Sequence, residues 1–138
     1  MATIIRAITI DTDPAAAWEA LQDFGALHER LAPGFITDSR MEGADTRVIT
    51  FFNGAVAKER LIGVDDHTRR LAYTIIESSL DLAHHSAAAQ ITDAGDGRAR
   101  FTWTVDVLPD EVAGPIAEMM GAGLTAIKAK LDERPLVP

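Results

Sequence analysis

An α+β fold, with a curved antiparallel sheet wrapped around one long C-terminal helix, is predicted from a change of period along the chain. Between Phe35 and Val107, short runs rich in β-branched and aromatic residues alternate at a period of two and are separated by turn signals. After Pro109 the spacing becomes three and four, with Val112, Ile116, Met119, Met120, Leu124, Ile127 and Leu131 on one apolar stripe. A curved sheet has a concave apolar face, and a long amphipathic helix can cover it. The length of 138 residues is that of one domain over the whole chain, 1–138.

The opening "TIIRAITID" reads as a strand. Asp13 followed by Pro14 is a helix start, because the carboxylate caps free N–H groups and proline suits the first turn. That helix is expected to run to about Gln22. Asp23 then caps a second short helix, "FGALHERLA", which must stop before Pro33. In the meander that follows, "MEGADT", Asn53-Gly54, "DDHTRR" and "DAGDG" mark the turns. Asn53-Gly54 predicts a two-residue loop with positive φ at both positions.

Composition narrows the function classes. The net charge of −8 lacks the basic footprint that nucleic acid or anionic lipid requires. With no cysteine there can be no disulfide, thiolate metal site or cysteine nucleophile. The N-terminal apolar stretch, broken by Arg6, is too short for a signal peptide, and no run approaches a membrane span. A cytoplasmic protein is expected, with no cofactor or metal and neither nucleic acid nor membrane as partner, which leaves small molecules or other proteins. The apolar inward face of the strands favours a small hydrophobic molecule. A homodimer is compatible with these features.

Alternation also assigns the inward strand face. Arg47, Ile49 and Phe51 share it, as do Ala57, Glu59 and Leu61; next come Leu71, Tyr73, Ile75 and Glu77. His85, Ala87, Ala89 and Ile91 follow, then Phe101, Trp103 and Val105. Small residues at Ala57, Ala87 and Ala89 point to empty space between sheet and helix. Met119 and Met120 should face that space, and Gly121 and Gly123 would let the helix bend or approach closely. An inward carboxylate needs a partner, a proton or a water-filled cavity. Glu59 alone in an apolar pocket would hold its proton and serve as a catalytic acid or base; beside Arg47 it would be ionised and structural. Tyr73 and Trp103 offer hydrogen-bond donors on aromatic walls, and His85 is the inward member of the His84-His85 pair. His28 is expected in solvent. The candidate ligand-binding set is therefore Arg47, Phe51, Glu59, Tyr73, His85, Trp103, Met119 and Met120.

Three stretches, "IDTDPAAAWEALQDFGALHERLAPG", "RVITFFNGAVAKERLIGVDDHTRRLAYTIIE" and "GRARFTWTVDVLP", together with the element order, resemble the START-like (SRPBCC) superfamily and its polyketide cyclase/dehydrase-like branch. The resemblance implies the helix-grip fold and a ligand cavity between sheet and helix. It leaves three functions open: a ligand binder or carrier, a polyketide cyclase or dehydratase using Glu59 as acid/base, and a protein-interaction module. One departure is local: where relatives often carry tryptophan before the proline ending the second helix, this chain has Leu31 and Ala32.

Overall fold

A computed structural model describes residues 1–133. Strand β1, Ala2–Ile10, leads into helix α1, Pro14–Gln22. The Asp13 carboxylate accepts from the Ala15 N–H at 3.3 Å, so the cap forms as the sequence indicates. Beyond it, the expected second α-helix is instead a 3₁₀ turn, Phe24–Ala26, running into a π turn, Leu27–Leu31. The Ala32 N–H reaches back to the Leu27 carbonyl at 2.8 Å, widening the turn just before Pro33. Gly25 makes a close approach here, since a Cβ on it would sit 3.0 Å from Met41 Cγ. The wide turn also draws in His28: its Nδ1 is buried without a partner among the described residues, and its Nε2 lies 3.3 Å from Glu29 Oε1.

Six more strands follow: β2 (Ile36–Glu42), β3 (Thr46–Phe51), β4 (Val56–Asp65), β5 (Arg70–Ser78), β6 (His84–Gly95) and β7 (Arg98–Leu108). A single 3₁₀ turn, Asp110–Val112, leads into helix α2, Ala113–Leu131. The seven strands form one antiparallel sheet in the order β1-β7-β6-β5-β4-β3-β2, with Ala2 opposite Val107 and Ile10 opposite Ala99. Helix α2 buries Ile116, Met120, Gly123, Leu124 and Ile127, and the sheet buries Ile49, Leu71, Ile91, Phe101 and Val105. Burying each such large side chain contributes about 1.5–3 kcal/mol, so this apolar layer is the main force holding helix to sheet. The C-terminal end of α2 is tied down as well: Lys128 donates to the Thr9 carbonyl and pairs with Asp132, which accepts from the Asp11 N–H.

Three departures from simple alternation shape the sheet near the cavity. The β3–β4 hairpin has three loop residues, not two. Gly54 N–H closes a turn on the Phe51 carbonyl, Phe51 N–H pairs with Ala55, and only Gly54 takes a positive φ (+87°). A type I turn followed by a glycine bulge accounts for this, and Asn53 instead accepts from the Ala55 N–H. In β5, Glu77 lies opposite Lys58 whereas Ile75 lies opposite Glu59, so Ile76 is an extra, bulged residue. Glu77 therefore points outward, contrary to the alternation, and its carboxylate meets Lys58 Nζ at 3.4 Å. Finally, β5 and β6 pair only from Arg70–Gln90 to Tyr73–Ala87, then part.

Candidate functional site

Arg47 and Glu59 stand directly opposite each other in the β3–β4 ladder, and both are buried. Arg47 Nε and Nη2 donate to the same carboxylate oxygen, Glu59 Oε1, at 2.8 and 2.7 Å. Nη1 donates to the Phe24 carbonyl at 3.1 Å, and the guanidinium lies 3.8 Å from the centre of the Phe24 ring. A planar cation with five donors suits this position, since it satisfies a carboxylate, a carbonyl and an aromatic face together. The pair thus couples the central hairpin to the 3₁₀ turn after α1. The other carboxylate oxygen, Oε2, has no hydrogen-bond partner among the described residues, and Glu59 borders the cavity on both its sides.

Next to this pair stand two neutral donors. Trp103 Nε1 donates to the Tyr73 hydroxyl at 3.1 Å, which leaves the Tyr73 proton free to donate elsewhere. Burial, then the nearby Glu59 charge, pushes the Tyr73 phenol above its usual range, so it stays protonated. His85 fills the seam where β5 and β6 part. Its Nδ1 accepts the Ile75 N–H at 3.0 Å, and Thr74 Oγ1 donates to the His85 carbonyl. Side chains thus replace missing ladder bonds. Burial and the neighbouring His84 push the imidazole from 6.5 down to about 4, so it is neutral at pH 7, with its proton on Nε2. The Tyr73 and His85 rings lie 5.8 Å apart.

These groups border a cavity in two lobes. The outer lobe, about 420 Å³, lies between β4, β5 and the first half of α2; the inner one, about 70 Å³, lies beneath the turns after α1. Phe51, Glu59, Tyr73 and Trp103 border both. Arg47 borders the inner lobe, and His85, Met119 and Met120 the outer. Of the small residues, Ala57 borders the outer lobe and Ala89 the inner, whereas Ala87 is buried without bordering either. Sequence reasoning missed Phe35, which stands between the lobes with its ring 5.5 Å from Phe51, edge to face. It supplies an aromatic wall close to where Leu31 and Ala32 offer none. Phe52, Val56 and Leu80, all exposed, lie around the mouth of the outer lobe. Among the described residues no group of three His, Asp or Glu side chains could hold a metal, and no helix is long and apolar enough to cross a membrane.

Gly123 sets the distance between helix and sheet at the partition. A Cβ there would lie 3.1 Å from both Phe35 Cε2 and Trp103 Cζ3. Gly123→Val is therefore expected to cost about 1–3 kcal/mol by overpacking, read from urea unfolding. Wild-type stability in this variant would mean that the two rings yield and that the glycine sets no limit.

A curved antiparallel sheet gripping a C-terminal helix, with a largely apolar cavity between them, defines a START-like protein of the helix-grip fold. The chain belongs to the family described as polyketide cyclase / dehydrase and lipid transport, which it matches over residues 1–133. No curated protein matches it in sequence. Among solved structures, XoxI from Bacillus cereus is 21% identical, with a TM-score of 0.83 over 95% of this chain and 96% of that one. A START superfamily protein from Mycobacterium smegmatis is 12% identical, with a TM-score of 0.71 over 94% of each chain. Norcoclaurine synthase from Thalictrum flavum is 17% identical, with a TM-score of 0.74 over 96% of this chain and 87% of that one. At such identities the likeness is one of fold.

Proposed function

We propose that the protein binds a small, largely hydrophobic molecule in the outer lobe, with Glu59, Tyr73 and His85 orienting its polar end. The observation that carries this reading is a space of about 420 Å³ with mostly apolar walls, into which a buried carboxylate presents an oxygen that has no partner among the described residues. A filled interior would have suited an interaction module instead. The neutral dye Nile red should bind the native protein at one saturable site. Ile75→Trp, which adds bulk to the wall of the outer lobe, should weaken that binding without lowering the melting temperature. No saturable site, or one indifferent to the substitution, would defeat the proposal.

The same geometry supports a second reading, a polyketide-cyclase-like enzyme. Glu59 Oε2 would take a proton from a carbon next to a carbonyl while Tyr73 or His85 donates to the carbonyl oxygen. Arg47 is less suited to that donor role, because its nitrogens already serve Glu59 and Phe24. Glu59→Gln separates the two readings. A carrier should lose about 1–3 kcal/mol of affinity, the scale of one hydrogen bond to a charged group. An enzyme should still bind and lose turnover. Unchanged affinity and rate would remove Glu59 from the site.

A further inference from the structure

We propose that the cavity selects its ligand by charge: it takes an uncharged apolar molecule whose polar end carries a hydroxyl donor beside an oxygen acceptor, and it excludes anionic amphiphiles of the same shape. This rests on the reading of the outer lobe as a ligand site and adds what that site would recognise.

The inventory of polar groups decides the matter. Among the described residues, Arg47 is the only lysine or arginine bordering either lobe. Its charge is already engaged: two of its nitrogens hold Glu59 Oε1, a third holds the Phe24 carbonyl, and the Phe24 ring covers one face. A fatty-acid carboxylate entering the outer lobe would find no free cation. It would meet Glu59 Oε2, an acceptor facing an acceptor, and the exposed Glu118 carboxylate at the mouth. Neither gives it a hydrogen bond, and with Arg47 already balancing Glu59 its own desolvation would go uncompensated. His85 offers no remedy, because the Ile75 N–H occupies Nδ1 and the ring serves as a neutral donor.

An uncharged hydroxyl meets the opposite situation. It can donate to Glu59 Oε2, while a neighbouring ligand oxygen accepts from the Tyr73 hydroxyl or from His85 Nε2. All three groups border the outer lobe, and the acceptor and one of the donors are then satisfied. A ligand ammonium fares less well than the hydroxyl, because Arg47 already balances the carboxylate and little attraction remains to offset the loss of ammonium hydration.

The experiment is displacement of Nile red from the whole protein at pH 7.5 by three probes with one apolar body: 2-naphthalenemethanol, 2-naphthoate and 2-naphthalenemethylammonium. The alcohol should bind at least about tenfold more tightly than either ion. In Glu59→Gln, Arg47 loses its counter-charge and the naphthoate should overtake the alcohol, an inversion that a merely structural role for the pair would not produce. Naphthoate or the ammonium binding the wild type as tightly as the alcohol would overturn the charge rule. Nile red bound but displaced by none of the three would overturn it too, leaving the cavity as a ligand site. Absence of Nile red binding would overturn both. The wild-type ranking decides even if the variant does not fold.

Discussion

Arg47→Leu should lose about 3–5 kcal/mol of folding stability, the cost of removing one partner from a buried ion pair and leaving the other uncompensated. The stranded group is Glu59, which keeps no hydrogen bond from a described residue once Nε and Nη2 are gone. The Phe24 carbonyl loses its donor and the Phe24 ring its cation in the same change. Glu59→Leu should be comparably damaging, since it strands the guanidinium. Replacing both at once, Arg47→Leu with Glu59→Leu, should recover most of the loss, because two apolar side chains need no partner. Urea unfolding of the four proteins closes the cycle. If Arg47→Leu alone costs under about 1 kcal/mol, the carboxylate has found water or a proton and the pair is not a structural tie. Recovery of stability without ligand binding in the double variant would separate what the pair does for the fold from what it does for the site.

The acid side of the stability profile should carry the signature of His85. Its folded-state value is pushed down, from 6.5 to about 4, so between these limits the unfolded chain holds a proton that the folded chain does not. Stability from this residue is therefore complete above about pH 6.5 and falls as pH drops toward 4. At about 1.4 kcal/mol per pH unit, the loss over the window is roughly 3 kcal/mol. His85→Asn places an amide oxygen near the position of Nδ1, so the Ile75 N–H keeps an acceptor while the titration disappears. The variant should match the wild type near pH 5 or exceed it, and lose less on going from pH 6.5 to pH 4. Carboxylates titrate in the same range in both proteins, so the difference between the two curves isolates the imidazole. Parallel curves would mean that His85 takes up its proton alike in the folded and unfolded chain and that the seam between β5 and β6 is held in another way.

Alternation made most of the inner face legible. Arg47, Glu59, Tyr73 and His85 all lie where a period of two puts them, because their strands are regular around those positions and one face must meet the helix. Glu77 failed for a local reason: one bulged residue, Ile76, reverses the facing of everything beyond it, and nothing in a hydrophobicity pattern marks a bulge. Phe24 and Phe35 were not recognised because they sit in a 3₁₀ turn and a loop, where no periodicity assigns a direction. Their aromatic character next to Gly25 and Gly34 was the only available signal. The Asn53-Gly54 turn shows a further limit, since the same dipeptide serves both two- and three-residue hairpins and strand register chooses between them. The pairing of Arg47 with Glu59 was foreseeable as a shared face. Which nitrogen meets which oxygen, and hence that Oε2 stays open, is a matter of rotamers that sequence does not encode visibly.

The position of β1 beside β7 bears on how the molecule comes into being. As the chain is synthesised, β2 to β7 can zip together one hairpin at a time, but β1 has no neighbour until β7 exists. Closing so long a loop is entropically costly before any contact rewards it, and such non-local topologies fold slowly. Helix α2 emerges later still, and it packs on β1. Until α2 docks, the concave face with its aromatic rings stands uncovered, so docking of the helix is the step that encloses the cavity.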